Sequence, residues 1–327
     1  MQLTLLSRRK WNGAGTRYNA RGINDQGYVA NFCETEQILV VNNRFLISHV
    51  QIRGSVPVFW EQRGLAEDVN LTRNPEMTKK PFQTHFKRIV DSYGPCQVIN
   101  LLRYNVPREV RLTTEYVRQV HESPYKNKIK FLNFDFHGFC GGDRYQALKV
   151  MIQRVDTEIL KQGYLIEHLA QKQVEMVQRG VIRTNCLDSL DRTNVAQSKV
   201  GMVVLQLWLK KLGFDLEAIA GPLVHTEGLA FMYEEDETSI IQQFRAMWTE
   251  MGDYLSRQYA GTDSTISRVT RDGKEGFLGK LDHKTKVVRR FLINTLSENP
   301  MQTSIDIIQG KHLNTGYSSE QKLFVDE

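Results

Sequence analysis

Between Val181 and Leu209 the sequence runs from a short apolar stretch, through a tight polar loop, into a long apolar helix. Val181-Ile182 reads as a buried strand. Thr193 to Leu209 reads as a helix, because Val195, Val200, Val203, Val204, Leu207 and Trp208 recur at helical spacing and Gly213 offers a stop. A buried strand handed directly to a buried helix belongs inside an α/β core. The rest of the chain agrees, since predicted strands alternate with predicted helices. The fold class expected is α/β, a mixed central sheet flanked by helices, with the loop lying between a strand and a buried helix.

The loop itself is Cys186-Leu187-Asp188-Ser189-Leu190-Asp191-Arg192-Thr193. A cysteine followed by an arginine six positions on suits a loop that wraps a phosphate. The thiol sits below the phosphorus, the guanidinium forks onto two oxygens, and backbone N–H groups of Leu187, Ser189 and Leu190 complete the cradle. A helix N-terminus at the same point adds positive potential. These groups favour a thiolate at Cys186, the nucleophile of cysteine phosphatases. Arg192 holds the transferring phosphoryl group, and Thr193 is placed to hydrogen-bond the sulfur or to cap the helix. Asp188 and Asp191 are the candidate general acids, with Asp188 preferred, because two carboxylates so close favour one remaining protonated. Asp191 alternatively orients Arg192 or the attacking water. Arg183, just before the loop, is a candidate for substrate contact or for a carboxylate pair.

The remaining predicted elements are coarser. Glu34–Val41 and Arg44–Gln51 read as strands joined at Asn42-Asn43. Helices are expected over 81–93, 113–121, 144–160, 236–259, 286–296 and 303–309, and strands over 97–102 and 129–136. Periodicity leaves 164–167 and 174–178 open between a hairpin and a helical piece. Asp135 and His137 end the strand at 129–136 and are expected to border the pocket.

With 327 residues the chain can bury one large core or two. Its cysteines, Cys33, Cys96, Cys140 and Cys186, are widely spaced, which argues against a disulfide framework or a zinc ribbon and for a reducing compartment. No His/Cys/Asp cluster has metal-ligand spacing, so no metal and no cofactor are expected. The start, MQLTLLSRRKW, is too short an apolar run for a signal peptide, and no stretch approaches a membrane span. The net charge is +6, and residues 267–290 hold eight Lys or Arg against three Asp or Glu. The basic segment 268–290 suits an anionic membrane surface. No aromatic-interleaved basic motif supports nucleic acid.

Several segments then resemble one family. Arg183-Thr184-Asn185-Cys186-Leu187-Asp188-Ser189-Leu190-Asp191-Arg192-Thr193-Asn194 is similar to the signature of Sac-domain phosphoinositide phosphatases. Ala14-Gly15-Thr16-Arg17-Tyr18-Asn19-Ala20-Arg21-Gly22, Val29 to Gln37, Arg53-Gly54-Ser55-Val56-Pro57-Val58-Phe59-Trp60, Asn133-Phe134-Asp135-Phe136-His137, Ser256 to Thr262 and Thr270 to Lys274 resemble its other blocks, in the family's order. The resemblance implies a catalytic core over 1–310, with a β-rich opening region at 11–60, the basic segment at 267–290, and a polar tail at 311–327. The family's usual β-rich N-terminal subdomain is not expected, because the first block lies so near Met1. The family's second loop cysteine is Ser189 here. The implied activity is removal of phosphate from inositol lipid headgroups, first choice phosphatidylinositol 4-phosphate, through a phosphocysteine. The implied location is the cytosolic face of a membrane, as a peripheral protein with no identified adaptor. A protein tyrosine or dual-specificity phosphatase, or a silent phosphoinositide-binding module, are the alternatives.

Overall fold

Asn42 and Asn43 adopt left-handed backbone, φ 50° and 53°, as a tight hairpin turn requires. They join β2 (Cys33–Val41) to β3 (Phe45–Arg53) in full antiparallel register. β1 (Gln2–Arg9) adds to the outer edge of β2. The computed structural model describes the chain except residues 18, 64–67, 142–143, 215–223, 227–228, 232–238, 273–299 and 312–327.

A small antiparallel pair follows, β4 (Trp60–Arg63) and β5 (Asp68–Leu71). Helix α1 (Pro75–Tyr93) starts six residues before the predicted 81–93. Asn74 accepts from the Met77 N–H and Pro75 opens the first turn, so Pro81, expected as the first helical residue, lies inside the helix. Then come β6 (Cys96–Asn100), α2 (Pro107–Glu122), β7 (Ile129–Asn133) and α3 (Phe136–Cys140).

The single helix expected over 144–160 is broken. A 3₁₀ turn at Tyr145–Ala147 leads into α4 (Leu148–Gln153), and α5 (Asp156–Gln162) follows. Val155 between them leaves helical geometry, φ −121° and ψ 0°, with its side chain fully buried. The break lets Met151, Ile152, Val155 and Ile159 all enter one core. The ambiguous stretch is a hairpin, β8 (Leu165–His168) and β9 (Gln173–Met176). The central strand β10 (Val181–Asn185) feeds α6 (Asp191–Lys211). Beyond lie β11 (Val224–Thr226), β12 (Leu229–Phe231), α7 (Ser239–Ala260), α8 (Ser267–Asp272) and α9 (Pro300–Ile308). The helix expected over 286–296 and most of the basic segment lie outside the described residues.

The main sheet runs β1-β2-β3-β10-β6-β7, with the β8–β9 hairpin attached to the first half of β3. β3, β10, β6 and β7 are mutually parallel. Neighbouring residues in β10 and β6 serve opposite cores: Ile182 and Ile99 face α6, while Val181 and Val98 face α1 and α2. Both faces are therefore covered, as parallel strands require. The helix side is anchored by the fully buried indoles of Trp208 and Trp248. Each large side chain in these layers contributes about 1.5–3 kcal/mol by leaving water.

One buried group makes stability depend on pH. His49, on β3 and 1% exposed, has neither ring nitrogen hydrogen-bonded, and burial lowers its pKa from 6.5 to about 4. An unfolded imidazole takes its proton earlier, so the unfolded state binds more protons between pH 6.5 and 4, and stability falls as pH drops through that window. The expected loss is roughly 3 kcal/mol. His85, also held low by burial and then by Arg183, adds to the same slope. Urea unfolding of the parent and of His49→Gln from pH 7 to 4 checks this: the variant should have the shallower slope, and equal slopes would refute the assignment.

Candidate active site

The parallel strands β3, β10, β6 and β7 deliver their last residues to one edge, where open α/β sheets bind ligands. Three asparagines end adjacent strands there in register, Asn185, Asn100 and Asn133. Their amides form a chain: Asn185 Nδ2 donates to Asn100 Oδ1 at 2.6 Å, and Asn100 Nδ2 donates to Asn133 Oδ1 at 2.8 Å. The Leu101 N–H donates to the Asn185 carbonyl and the Phe134 N–H to the Asn100 carbonyl, carrying the ladder into the exiting loops.

From this edge the chain leaves β10 at Cys186 and enters α6 at Asp191. Ser189 makes the turn possible with φ 53°, and its hydroxyl donates to the Gly54 carbonyl at 2.7 Å. Leu190 precedes the helix with φ −114° and ψ −98°, and no side chain caps the first turn. The first N–H groups of α6 thus face the loop. Cys186 is 2% exposed. Arg192 Nη1 donates to the Leu101 carbonyl at 3.3 Å and to Glu109 Oε2 at 3.4 Å. Burial works against its charge, but the Cys186 sulfur, Glu109 and Asp188 outweigh it and hold its pKa above the ordinary arginine value. Glu109 is itself buried and accepts from the Arg103 N–H at 2.9 Å, so it aims the guanidinium.

A second wall comes from residues 11–32. Arg21 Nη1 meets Asp188 Oδ1 at 2.5 Å, and Arg17 Nη2 lies 3.4 Å from Asp188 Oδ2. Arg21 also donates to Gln62 and to the Tyr259 hydroxyl, and its guanidinium lies 5.2 Å from the centre of the Trp60 ring. Tyr259 donates to the Ala20 carbonyl, and burial raises its pKa to about 12. Asn31 Nδ2 donates to the Asp188 carbonyl. Gly22 must be glycine: φ is +63°, and a Cβ would stand 2.3 Å from the Val58 carbonyl oxygen.

The other sequence-predicted residues fall as follows. Asp191 Oδ2 accepts from the Thr265 hydroxyl at 2.6 Å and its N–H at 3.3 Å. The Thr193 hydroxyl is fully buried with no hydrogen-bond partner. Arg183 does not face the loop opening: it is fully buried, donating to the Asn185 side chain and the Ser55 carbonyl. Asp135 caps α3 through the Gly138 N–H and accepts from the Tyr104 N–H, while His137 is exposed. The side chains of Leu187 and Leu190 are buried in separate apolar clusters, which leaves only their backbones to the loop. Glu109, Arg103 and Gln62 were missed. Arg17, Arg21 and Arg53 lie in segments that resemblance had marked, without roles. Among the described residues no group of three or more His, Cys, Asp or Glu could hold a metal ion. No described helix is long and apolar enough to cross a membrane.

Fold and site define a mixed α/β protein with a cysteine-to-arginine loop at the end of a central parallel strand. Residues 1–141 match the sequence model of the SacI homology domain. A polyphosphatidylinositol phosphatase of Saccharomyces cerevisiae, INP53, is 33% identical over 314 residues, 94% of this chain and 27% of its own length. The phosphoinositide phosphatase SAC8 of Arabidopsis thaliana is 33% identical over 328 residues, covering 98% of this chain and 51% of its own. Human synaptojanin-1 is 33% identical over 322 residues, 97% and 19%. The chain is thus similar to Sac-domain phosphoinositide phosphatases over nearly its whole length, and it spans about half or less of the length of these relatives.

Proposed function

We propose that this chain is the catalytic core of a phosphoinositide phosphatase that cleaves a phosphate monoester from an inositol lipid headgroup, first choice phosphatidylinositol 4-phosphate. The observation that carries the reading is the convergence of the Cys186 sulfur, the Arg192 guanidinium and the uncapped start of α6 on one loop. The yeast and Arabidopsis relatives above, a polyphosphatidylinositol phosphatase and a phosphoinositide phosphatase by name, support the substrate class.

In the first half-reaction the Cys186 thiolate attacks phosphorus, the P–S bond forms, and the ester P–O bond breaks. Arg192 and the N–H groups of Leu187, Ser189 and Leu190 hold the equatorial oxygens. The leaving inositol oxygen takes a proton from a loop carboxylate. Arg17 and Arg21 favour the ionised form of Asp188, and the Thr265 hydroxyl and N–H favour that of Asp191, so both loop carboxylates stay candidates for the acid. Water then attacks the phosphocysteine, inorganic phosphate leaves, and the thiolate is restored. The buried, partnerless Thr193 hydroxyl is suited to donate to the sulfur as it departs. Asp135, which accepts from the Tyr104 and Gly138 N–H groups, and the exposed His137 are proposed to border the pocket. The basic segment 268–290 is proposed to meet the anionic cytosolic face of a membrane, with the chain attached peripherally.

Phosphate release from short-chain phosphoinositides and from a phosphotyrosine peptide, in EDTA, tests the reading. Release from an inositol lipid class and not from the peptide is expected. Release from the peptide alone points to a protein phosphatase, and no release by folded protein points to a binding module.

A further inference from the structure

Arg53 closes β3 in a place no substrate reaches. The strand register sets it beside Cys33 on one side and Thr184, two residues before Cys186, on the other. It is 1% exposed. Its Nη2 donates to Asn194 Oδ1 at 3.0 Å, at the start of α6 directly after Arg192 and Thr193. Its Nε and Nη1 have no hydrogen-bond partner among the described residues. A guanidinium buried with donors unmet is costly unless an anion stands nearby.

The surroundings narrow that anion down. Burial lowers the pKa of Arg53 to about 10, while Cys33, Cys186 and Asp191 act in the opposite direction. Asp191 has its charge already met by the Thr265 hydroxyl and N–H, and acts on Arg53 less than either cysteine does. Burial pushes the Cys33 thiol up, so it stays neutral near pH 7, although Arg53 and Arg9 oppose this. Cys186 remains. Arg192 also interacts with it, but its side chain is 14% exposed and is shared with Glu109 and Asp188.

Building on the cysteine chemistry proposed above, we propose that Arg53 is a positioning residue for the nucleophile: a guanidinium sealed behind the loop that holds Cys186 as thiolate and leaves Arg192 to grip phosphate. Its charge is fixed before substrate arrives and is not neutralised by it, so the sulfur stays anionic as the phosphate dianion approaches.

The test is the rate of Cys186 alkylation by iodoacetamide from pH 5 to 9, followed at that site by mass spectrometry on the full chain. Arg53→Gln should slow alkylation at pH 7 by about tenfold and move the profile to higher pH, the scale of one lost neighbouring charge. Arg53→Lys keeps the charge and should stay close to the parent. Asn194→Asp, nearly isosteric, places a competing carboxylate against Arg53 and should reproduce the slowing even if Arg53→Gln fails to fold. An unchanged profile in the folded neutral variant or in Asn194→Asp overturns the inference, as does equal slowing in Arg53→Gln and Arg53→Lys. Alkylation reads the sulfur and not turnover. A parent inactive on every phosphate ester that still shows the Arg53 dependence overturns the phosphatase reading alone. A working phosphatase indifferent to Arg53 overturns this inference alone.

Discussion

Cys186→Ser should fold like the parent and lose phosphate release by about 10⁵-fold, the scale of removing a nucleophile. The serine hydroxyl fits the same 2%-exposed site, so the melting temperature should move little. It cannot ionise near neutral pH, and no histidine is among the loop residues to deprotonate it. The rest of the loop is untouched: Arg192 keeps Glu109 and the Leu101 carbonyl, and Ser189 keeps its bond to Gly54. The variant should therefore still bind a soluble inositol phosphate headgroup, which calorimetry would read beside the assay. Retention of more than about 1% of parent activity is incompatible with a phosphocysteine route.

Arg192→Lys should lower kcat/KM by about 10³-fold, within the range seen when a transition-state donor is lost. Lysine keeps one positive charge beside Glu109, so it avoids stranding a buried carboxylate, which Arg192→Ala would do at a cost of about 3–5 kcal/mol. What lysine lacks is the planar fork that meets two phosphate oxygens at once. The guanidinium is held charged, its pKa raised by Cys186, Glu109 and Asp188 in excess of what burial removes. The loss should therefore be the same at every pH assayed, with the shape of the pH–rate profile intact. A variant within tenfold of the parent would show that Arg192 does not hold the reacting phosphoryl group.

The part of this site that could be read from sequence is the part that is local. Strand, loop and helix lie in one continuous stretch from Val181 to Lys211, so spacing and periodicity carry the signal. Glu109 reaches Arg192 across 83 positions, and Arg21 reaches Asp188 across 167. No local pattern marks such pairs, and they emerge only when the sheet order is known. The asparagines at 100 and 133 fall inside the strands expected over 97–102 and 129–136, and Asn185 falls beyond the one expected at Val181-Ile182; only the parallel register turns them into a ladder. The helix expected over 144–160 has an uninterrupted apolar stripe. Its break at Val155 is imposed by the core beneath it, where tertiary packing overrides local propensity.

That ladder divides the site mechanically. Each amide-to-amide bond contributes about 1 kcal/mol, but its larger effect is to make three strand ends and their exiting loops move as one body. Cys186 and the Leu101 carbonyl that steadies Arg192 are fastened to this anvil. The opposite jaw meets the loop through the side chains of Arg17, Arg21 and Asn31. Exchanging those side-chain contacts leaves the backbone under the sulfur in place. On the proposed function, differently substituted headgroups are to be accommodated at the arginine jaw, and substitutions of Arg17 or Arg21 should retune selectivity while the reacting centre stays in place.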